Sequence, residues 1–230
     1  MSIFRTNNPL EFFQVEGIVI DERAASPNIQ GVASNRAILV GQFERGPETL
    51  ERIGSTKALF ELYGNNNSFS GNVALLNKRF GALSVIRVAA AAAVKAARTF
   101  TAPGPTNIIT FTAKYKGTYG NGITVTIEAG TSSGKKYTIK DTNAKKVLDD
   151  EVYDNIVITA VTSETFAASK LVDAAVLATS AEPDNIAATA LTGGTNGIVA
   201  DSDYEAAIAK AKQENAGNVL FLDVYNATRN

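Results

Sequence analysis

Residues 31–89 place the first constraint on the fold, because they read as strand, helix, helix, strand in that order. The stretch 32–40 within GVASNRAILVGQFERGP has strand character, and the loop after it carries Gly41, Gly46 and Pro47. Residues 49–53 add a short extended segment. The pattern over 56–63 and 72–80 predicts two helices. Each is stopped by a glycine, Gly64 and Gly81, at the position where a left-handed residue closes a helix. LSVIRV, residues 83–88, is a compact β-branched run of strand length. This order is an α/β crossover, normally right-handed and part of a mainly parallel sheet.

The rest of the chain is arranged around that unit. Residues 1–30 lack helical periodicity and hold one strand candidate, VEGIVIDE at 15–22, closed off by Ser26-Pro27-Asn28. Such a strand either folds back as an edge of its own domain or adds to the sheet of a neighbouring molecule. Val15, Ile18, Val19, Ile20, Asp21 and Glu22 are therefore candidate subunit-interaction residues. After the second strand, VAAAAAVKAARTF is compatible with a short helix or with a small-residue connector, and Pro103-Gly104-Pro105 breaks whatever precedes it.

From about residue 106 the character changes. Residues 107–113, 123–128, 136–140 and 156–160 are short, Thr- and Ile-rich and alternating, which predicts a small antiparallel β domain partly open on one face. The Ala-rich segment 165–179, with Phe166, Leu171, Val172 and Val176, predicts a helix packed on that sheet. The expected organisation is an arm (1–30), the first part of an α/β core (31–94), an inserted β-rich domain (95–192) and a return to the core (193–230). LTGGTNG, residues 191–197, is the glycine-rich turn into that return. Ser202-Asp203-Tyr204-Glu205 reads as a capping box, followed by a helix with Tyr204, Ile208 and Ala211 on one face, ending near Asn215. Gly217 stops it, and VLFLDV (219–224) is an apolar strand suited to the middle of a covered sheet. No second helix follows to cover it, so the α/β core is expected to be incomplete at its C-terminal end.

Composition narrows the function classes. The chain has no Cys and no His, which excludes disulfides, thiolate catalysis, Cys/His zinc sites, Ser-His-Asp triads and imidazole acid–base chemistry within it. A net charge of −1 gives no electrostatic reason to expect nucleic acid or an anionic membrane as partner. The longest apolar run, residues 88–94, is too short to cross a bilayer. The opening MSIFRTNNPLEFF lacks the layout of a secretory signal, so synthesis in the cytoplasm is expected.

Candidate sites dissolve on inspection. Gly117-Thr118-Tyr119-Gly120-Asn121-Gly122 runs GxxGxG before a strand, so it lacks the helix N-terminus that a phosphate loop needs and reads as a turn with positive-φ glycines. The segment from Gly130 to Lys136 misses the P-loop spacing and reads as a hairpin loop. Asp149, Asp150, Glu151 and Asp154 lack the glycine turn of a calcium loop and read as a solvated acidic loop. Lys78 and Arg79 sit in the last turn of an expected helix, where positive charge is favourable anyway. Asp223 ends an α/β strand, a position that often carries functional carboxylates, but no partner for it is visible.

The order of motifs is more telling than any single one. An arm strand leads into GVASNRAILVGQFERGP, then a helix ending LYG, then KRFGALSVIRV, GTYGNGITV, LTGGTNG, DSDYEAAI and VLFLDV. This series resembles the front half of contractile-tail sheath proteins of long-tailed phages and related injection machines, over about residues 30–224. The family's arm commonly opens with a PGVYV-like segment where this chain has FQVEGIV at 13–19, and its members continue further, to a C-terminal arm. The resemblance implies an α/β sheath core with an inserted β domain. It implies a structural subunit that polymerises as stacked rings, six subunits each, around an inner tail tube and contracts to drive that tube through the host envelope. The implied partners are further sheath subunits, the tube protein, and baseplate and tail terminator proteins, within a virion assembled in the host cytoplasm. No catalysis, cofactor, metal, nucleic-acid binding or membrane insertion is implied. The alternative from the residues is a carbohydrate- or nucleotide-processing α/β enzyme with a β insertion, built on Asp223 and the glycine turns.

Overall fold

The structure, a computed structural model, describes residues 36–64, 82–104, 106–144, 146, 148–162, 164–212 and 218–221. All of them belong to one compact unit, Asn35–Asn230. The candidate arm residues, the expected helix at 72–80 with Lys78 and Arg79, and Asp223 lie outside the described residues.

The crossover is present. Strand β1 (Arg36–Gly41) pairs in parallel with β3 (Ala82–Arg87), and β2 (Glu51–Ile53) runs antiparallel to β3 on its far side. Strict alternation gives this small sheet two apolar faces. Ala37, Leu39, Leu83 and Val85 point to one face, where helix α1 (Thr56–Tyr63) lays Leu59 and Tyr63 on them. Ile38, Val40, Ile86 and Val88 point to the other, covered by Ala207 and Ala211 of helix α2 (Asp201–Lys212). Ser55 caps α1 by accepting the Ala58 N–H at 3.1 Å, and Gly64 closes it at φ 89°. Strand β11 (Asn218–Phe221) pairs in parallel with β1, so the described sheet has the order β11-β1-β3-β2. The VLFLDV segment thus contributes an outer strand of the described sheet and not its middle.

Between β3 and α2 the chain builds two antiparallel sheets facing one core. One has the order β4 (Ala97–Ala102), β5 (Thr106–Ala113), β9 (Val172–Val176). The other has the order β10 (Ile186–Ala190), β6 (Ile123–Ala129), β7 (Lys135–Asp141), β8 (Glu151–Ile156). Phe100, Ile109 and Phe111 of the first meet Val125, Ile127, Tyr137 and Ile139 of the second in a shared apolar cluster. On the other face of the larger sheet Thr126, Glu128, Lys136, Thr138 and Lys140 line a shallow open groove, as expected of strands polar on one side.

Three expectations need correction here, and one open reading is decided. Residues 165–179 are not a helix: a turn delivers Phe166, and 172–176 is strand β9. Alanine's helix propensity is overridden because β9 satisfies its backbone on β5, from Ala113↔Val172 to Ile109↔Val176. The strand placed at 156–160 is β8, five residues earlier, and Ile158–Ala160 is a 3-10 turn. Asn155 at φ 58° sits at the register shift near the end of β8, and Ile158 turns inward to 1% exposure. The alanine-rich segment after β3 is a connector, because its amides bond across to the 192–195 turn (Val94 N–H to Thr195 O, Ala97 N–H to Thr192 O) and not along a helix. Finally, α2 is capped two residues earlier than the SDYE box implied. Asp203 reaches back to the Ala200 N–H at 2.8 Å and also holds the Ala91 N–H at 3.2 Å. Sequence reading also passed over β4 and β10.

Phe166 is where the two antiparallel sheets lock. Its ring stands edge-on to Phe111 (5.3 Å) and Tyr137 (5.5 Å) and lies 4.8 Å from Tyr153. Phe166→Ala is expected to cost about 3–5 kcal/mol. Phe166→Leu, which keeps most of the volume, should cost under half of that. Urea denaturation of both variants checks the ranking.

Candidate functional site

The buried polar chemistry of the molecule is concentrated where the small α/β sheet meets the two antiparallel sheets. Arg87 ends β3 at 4% exposure. Its Nε donates to Phe43 O (3.1 Å), its Nη1 to Gly46 O (3.3 Å) and its Nη2 to Lys116 O (2.8 Å). One guanidinium therefore ties the loop after β1 to the loop after β5. Burial pulls its pKa down, with Glu48 and the neighbouring tyrosines opposing. The planar fork of donors suits three carbonyls at fixed angles, which a lysine could not serve.

Arg45 does the complementary work from the loop itself, at 2% exposure. Its Nη2 donates to Phe60 O (3.2 Å) and Glu61 O (2.8 Å), carbonyls in the last turn of α1, where the helix dipole favours a cation. Its Nη1 donates to Tyr119 Oη at 2.7 Å and lies 3.7 Å from Asp141 Oδ2, and the guanidinium carbon sits 4.7 Å from the Tyr119 ring centre. Tyr119 in turn donates to Asp141, at the end of β7, and Asn143 adds a 2.8 Å bond to that carboxylate. Burial, then the Asp141 hydrogen bond, pushes the Tyr119 hydroxyl well above the usual tyrosine range.

The glycine turns close the same junction. Thr118–Gly122 is a 3-10 turn leading into β6. Asn121 and Gly194 exchange two hydrogen bonds of 2.9 Å, and Asn196 Oδ1 accepts the Thr118 N–H at 2.9 Å. Gly117 sits at φ 117°, and a Cβ there would come within 2.7 Å of Asn196 Oδ1. A Cβ on Gly194 would stand 2.5 Å from Gly117 O. These glycines permit backbone to meet backbone. They leave no open cradle for a phosphate, since Thr118 and Gly194 donate their amides to asparagine side chains.

The acidic cluster is only partly a loop. Glu151 and Asp154 lie on strand β8. Asp150 pairs with Lys140 (3.2 Å) and with Lys146, whose hydrogen bond holds the Asp150 carboxyl below its usual range. Asp154 caps the hairpin that begins at Gly130 by accepting from the Thr131 amide and hydroxyl. Among the described residues no group of three or more Asp or Glu is arranged to hold a metal ion. An open cleft of about 230 Å³ runs between Glu61, Leu148, Asp149, Tyr153 and Lys170. Sequence reading singled out neither arginine; the signal was a charge placed inside the apolar run LSVIRV and another between two glycines in GQFERGP.

Motifs far apart in the sequence, GQFERGP, LSVIRV, GTYGNG and LTGGTNG, thus meet at one joint. Two crystal structures of sheath tail proteins match the fold of the chain. The one from Listeria innocua matches with a TM-score of 0.64 at 21% identity, over 86% of this chain and 44% of its own. The one from Desulfitobacterium hafniense matches with a TM-score of 0.62 at 18% identity, over 85% and 44% respectively. The chain shares its fold with sheath tail proteins. It spans less than half the length of either of these sheath tail proteins, at 44% of each. No family model and no curated protein matches the sequence.

Two outcomes follow from the joint. Asp141→Ala strands a buried guanidinium and is expected to cost about 3–5 kcal/mol, read by chemical denaturation; the double variant Arg45→Met/Asp141→Ala should recover much of it. Tyr63 and Tyr119 both have pKa values raised chiefly by burial. Their stabilising effect is complete below the unfolded tyrosine pKa of about 10 and is lost as pH rises through the higher folded values. In an alkaline titration followed by tyrosinate absorbance, these two should ionise only as the protein unfolds. Their ionisation in the folded state near pH 10 would contradict the buried placement.

Proposed function

We propose that this chain is a structural subunit of a contractile tail sheath. The reading rests on one observation: a fold shared with two sheath tail proteins over at least 85% of the chain. Four of the motifs that suggested the same family from sequence, GQFERGP, LSVIRV, GTYGNG and LTGGTNG, come together at the buried joint, which adds to it. The subunit acts by assembly and carries out no catalytic step. Its copies stack in rings of six, or the equivalent helix, around an inner tail tube, bounded by baseplate and terminator proteins, in a virion assembled in the host cytoplasm. Contraction takes this tube from an extended to a wider packing and drives the inner tube through the host envelope.

The physical requirements of such a role are few. Heterologous contacts repeated about an axis give a tube, and many modest contacts per subunit make it stable. Contraction needs two packings of the lattice separated by a kinetic barrier, and bodies stiff enough to pass between them intact. A joint crossed by two buried guanidinium networks supplies stiffness of that kind. In this reading Val15, Ile18, Val19, Ile20, Asp21 and Glu22 form a strand that adds to a neighbour's sheet, and residues 95–192 form an inserted domain on the outer surface.

Negative-stain electron microscopy of the protein expressed from its full gene should show striated tubes or six-fold rings as concentration rises. Deleting residues 1–24 should leave the circular dichroism unchanged and abolish the polymer. Dispersed monomers from the full gene at every concentration would overturn the sheath reading; normal tubes from the deletion would overturn the arm's role alone.

A further inference from the structure

Among the described residues three buried side-chain polar atoms lack a hydrogen-bond partner: Arg45 Nε, Tyr137 Oη and Glu182 Oε2. Arg45 also borders a small recess, walled by Ala113, Tyr119, Gly120 and Leu171 among others. The recess has about 10 Å³ of room for the centre of a water-sized sphere. That is close to the least space in which one water is accommodated. A buried cation with one N–H unmatched is a costly arrangement, and a one-water recess beside it is the simplest remedy.

We propose that this recess is a binding site for a single ordered water that accepts the Arg45 Nε–H. The other donors of the guanidinium are engaged, by Tyr119, Phe60 O, Glu61 O and, more distantly, Asp141. The choice between water and a small anion follows from charge. The cations on the walls already have carboxylate neighbours: Asp141 at 3.7 Å from Arg45, Asp173 at 2.7 Å from Lys114, and Glu61 at 3.6 Å from Lys170. No positive charge is left over to hold an anion against its own hydration. A neutral molecule that accepts from Nε fits both the space and the electrostatics. The water becomes a structural component of the joint, and the inference stands whether or not the chain assembles into a sheath.

The test uses the full chain. Crystals diffracting well enough to show ordered solvent, grown with and without bromide, should show one water about 2.7–3.2 Å from Arg45 Nε. In solution, the Arg45 Nε–H resonance should show cross-relaxation with a long-lived water. A dry recess with Nε bonded to a protein acceptor would overturn the proposal. An anomalous bromide peak in place of the water would overturn it as well, by making the site an anion site.

Discussion

Two guanidinium groups removed from water hold this structure to one arrangement. A buried cation is tolerated only when nearly every donor is matched, because desolvation costs several kcal/mol per ion and an incomplete set of partners does not repay it. Arg87 meets that condition with three backbone carbonyls, and Arg45 with two helix-end carbonyls, a tyrosine hydroxyl and a carboxylate. Those partners lie on the loop after β1, the end of α1, the loop after β5, the turn before β6 and the end of β7, so these segments cannot drift independently. Networks of this kind act as units: each bond polarises the next, and one missing member exposes the rest as unsatisfied groups. The α/β sheet and the antiparallel sheets are therefore registered to one another by chemistry that is more directional than apolar contact.

Glycine makes the geometry possible. Gly46 lies at φ 112°, and a Cβ there would stand 2.4 Å from the Tyr63 ring, which itself donates to Val85 O. The loop carrying Arg45 can reach the end of α1 only because that space is left for the tyrosine. At the other side of the joint Gly117 and Gly194 let two turns touch backbone to backbone, while Asn196 and Asn121 take up the Thr118 and Gly194 amides and Val94 O takes up that of Gly117. Sequence proximity to a phosphate loop is misleading here for a definable reason. Glycines that serve a ligand leave amides free, and these have theirs occupied.

The crossover was legible because its signals are local: apolar runs of strand length over 36–41 and 82–87, and a glycine stop after α1. The turns at 117–122 and 130–134 were legible for the same reason. What was not legible depends on partners distant in sequence. The segment 172–176 has helix propensity, and only the unpaired side of β5 turns it into a strand. Strand β8 carries the acidic residues of an apparent loop, and its pairing on β7 is what makes it a strand. The buried arginines were visible as anomalies of pattern, but their partners, Tyr119 and Asp141, lie 74 and 96 positions away in sequence from Arg45.

The same division accounts for a fold kept at 21% identity. Most of the chain needs only to alternate apolar and polar residues at strand spacing, a condition that many sequences satisfy. The joint is stricter: it needs small residues where backbones approach, planar donors where carbonyls converge, and a carboxylate where a guanidinium is buried. Those demands fall on few positions. The outward surface carries ion pairs such as Lys140–Asp150 and Lys136–Glu128, which are exposed and contribute little to stability. Such a surface is free to change with its neighbours. The protein thus keeps its directional chemistry inside and its variable chemistry outside.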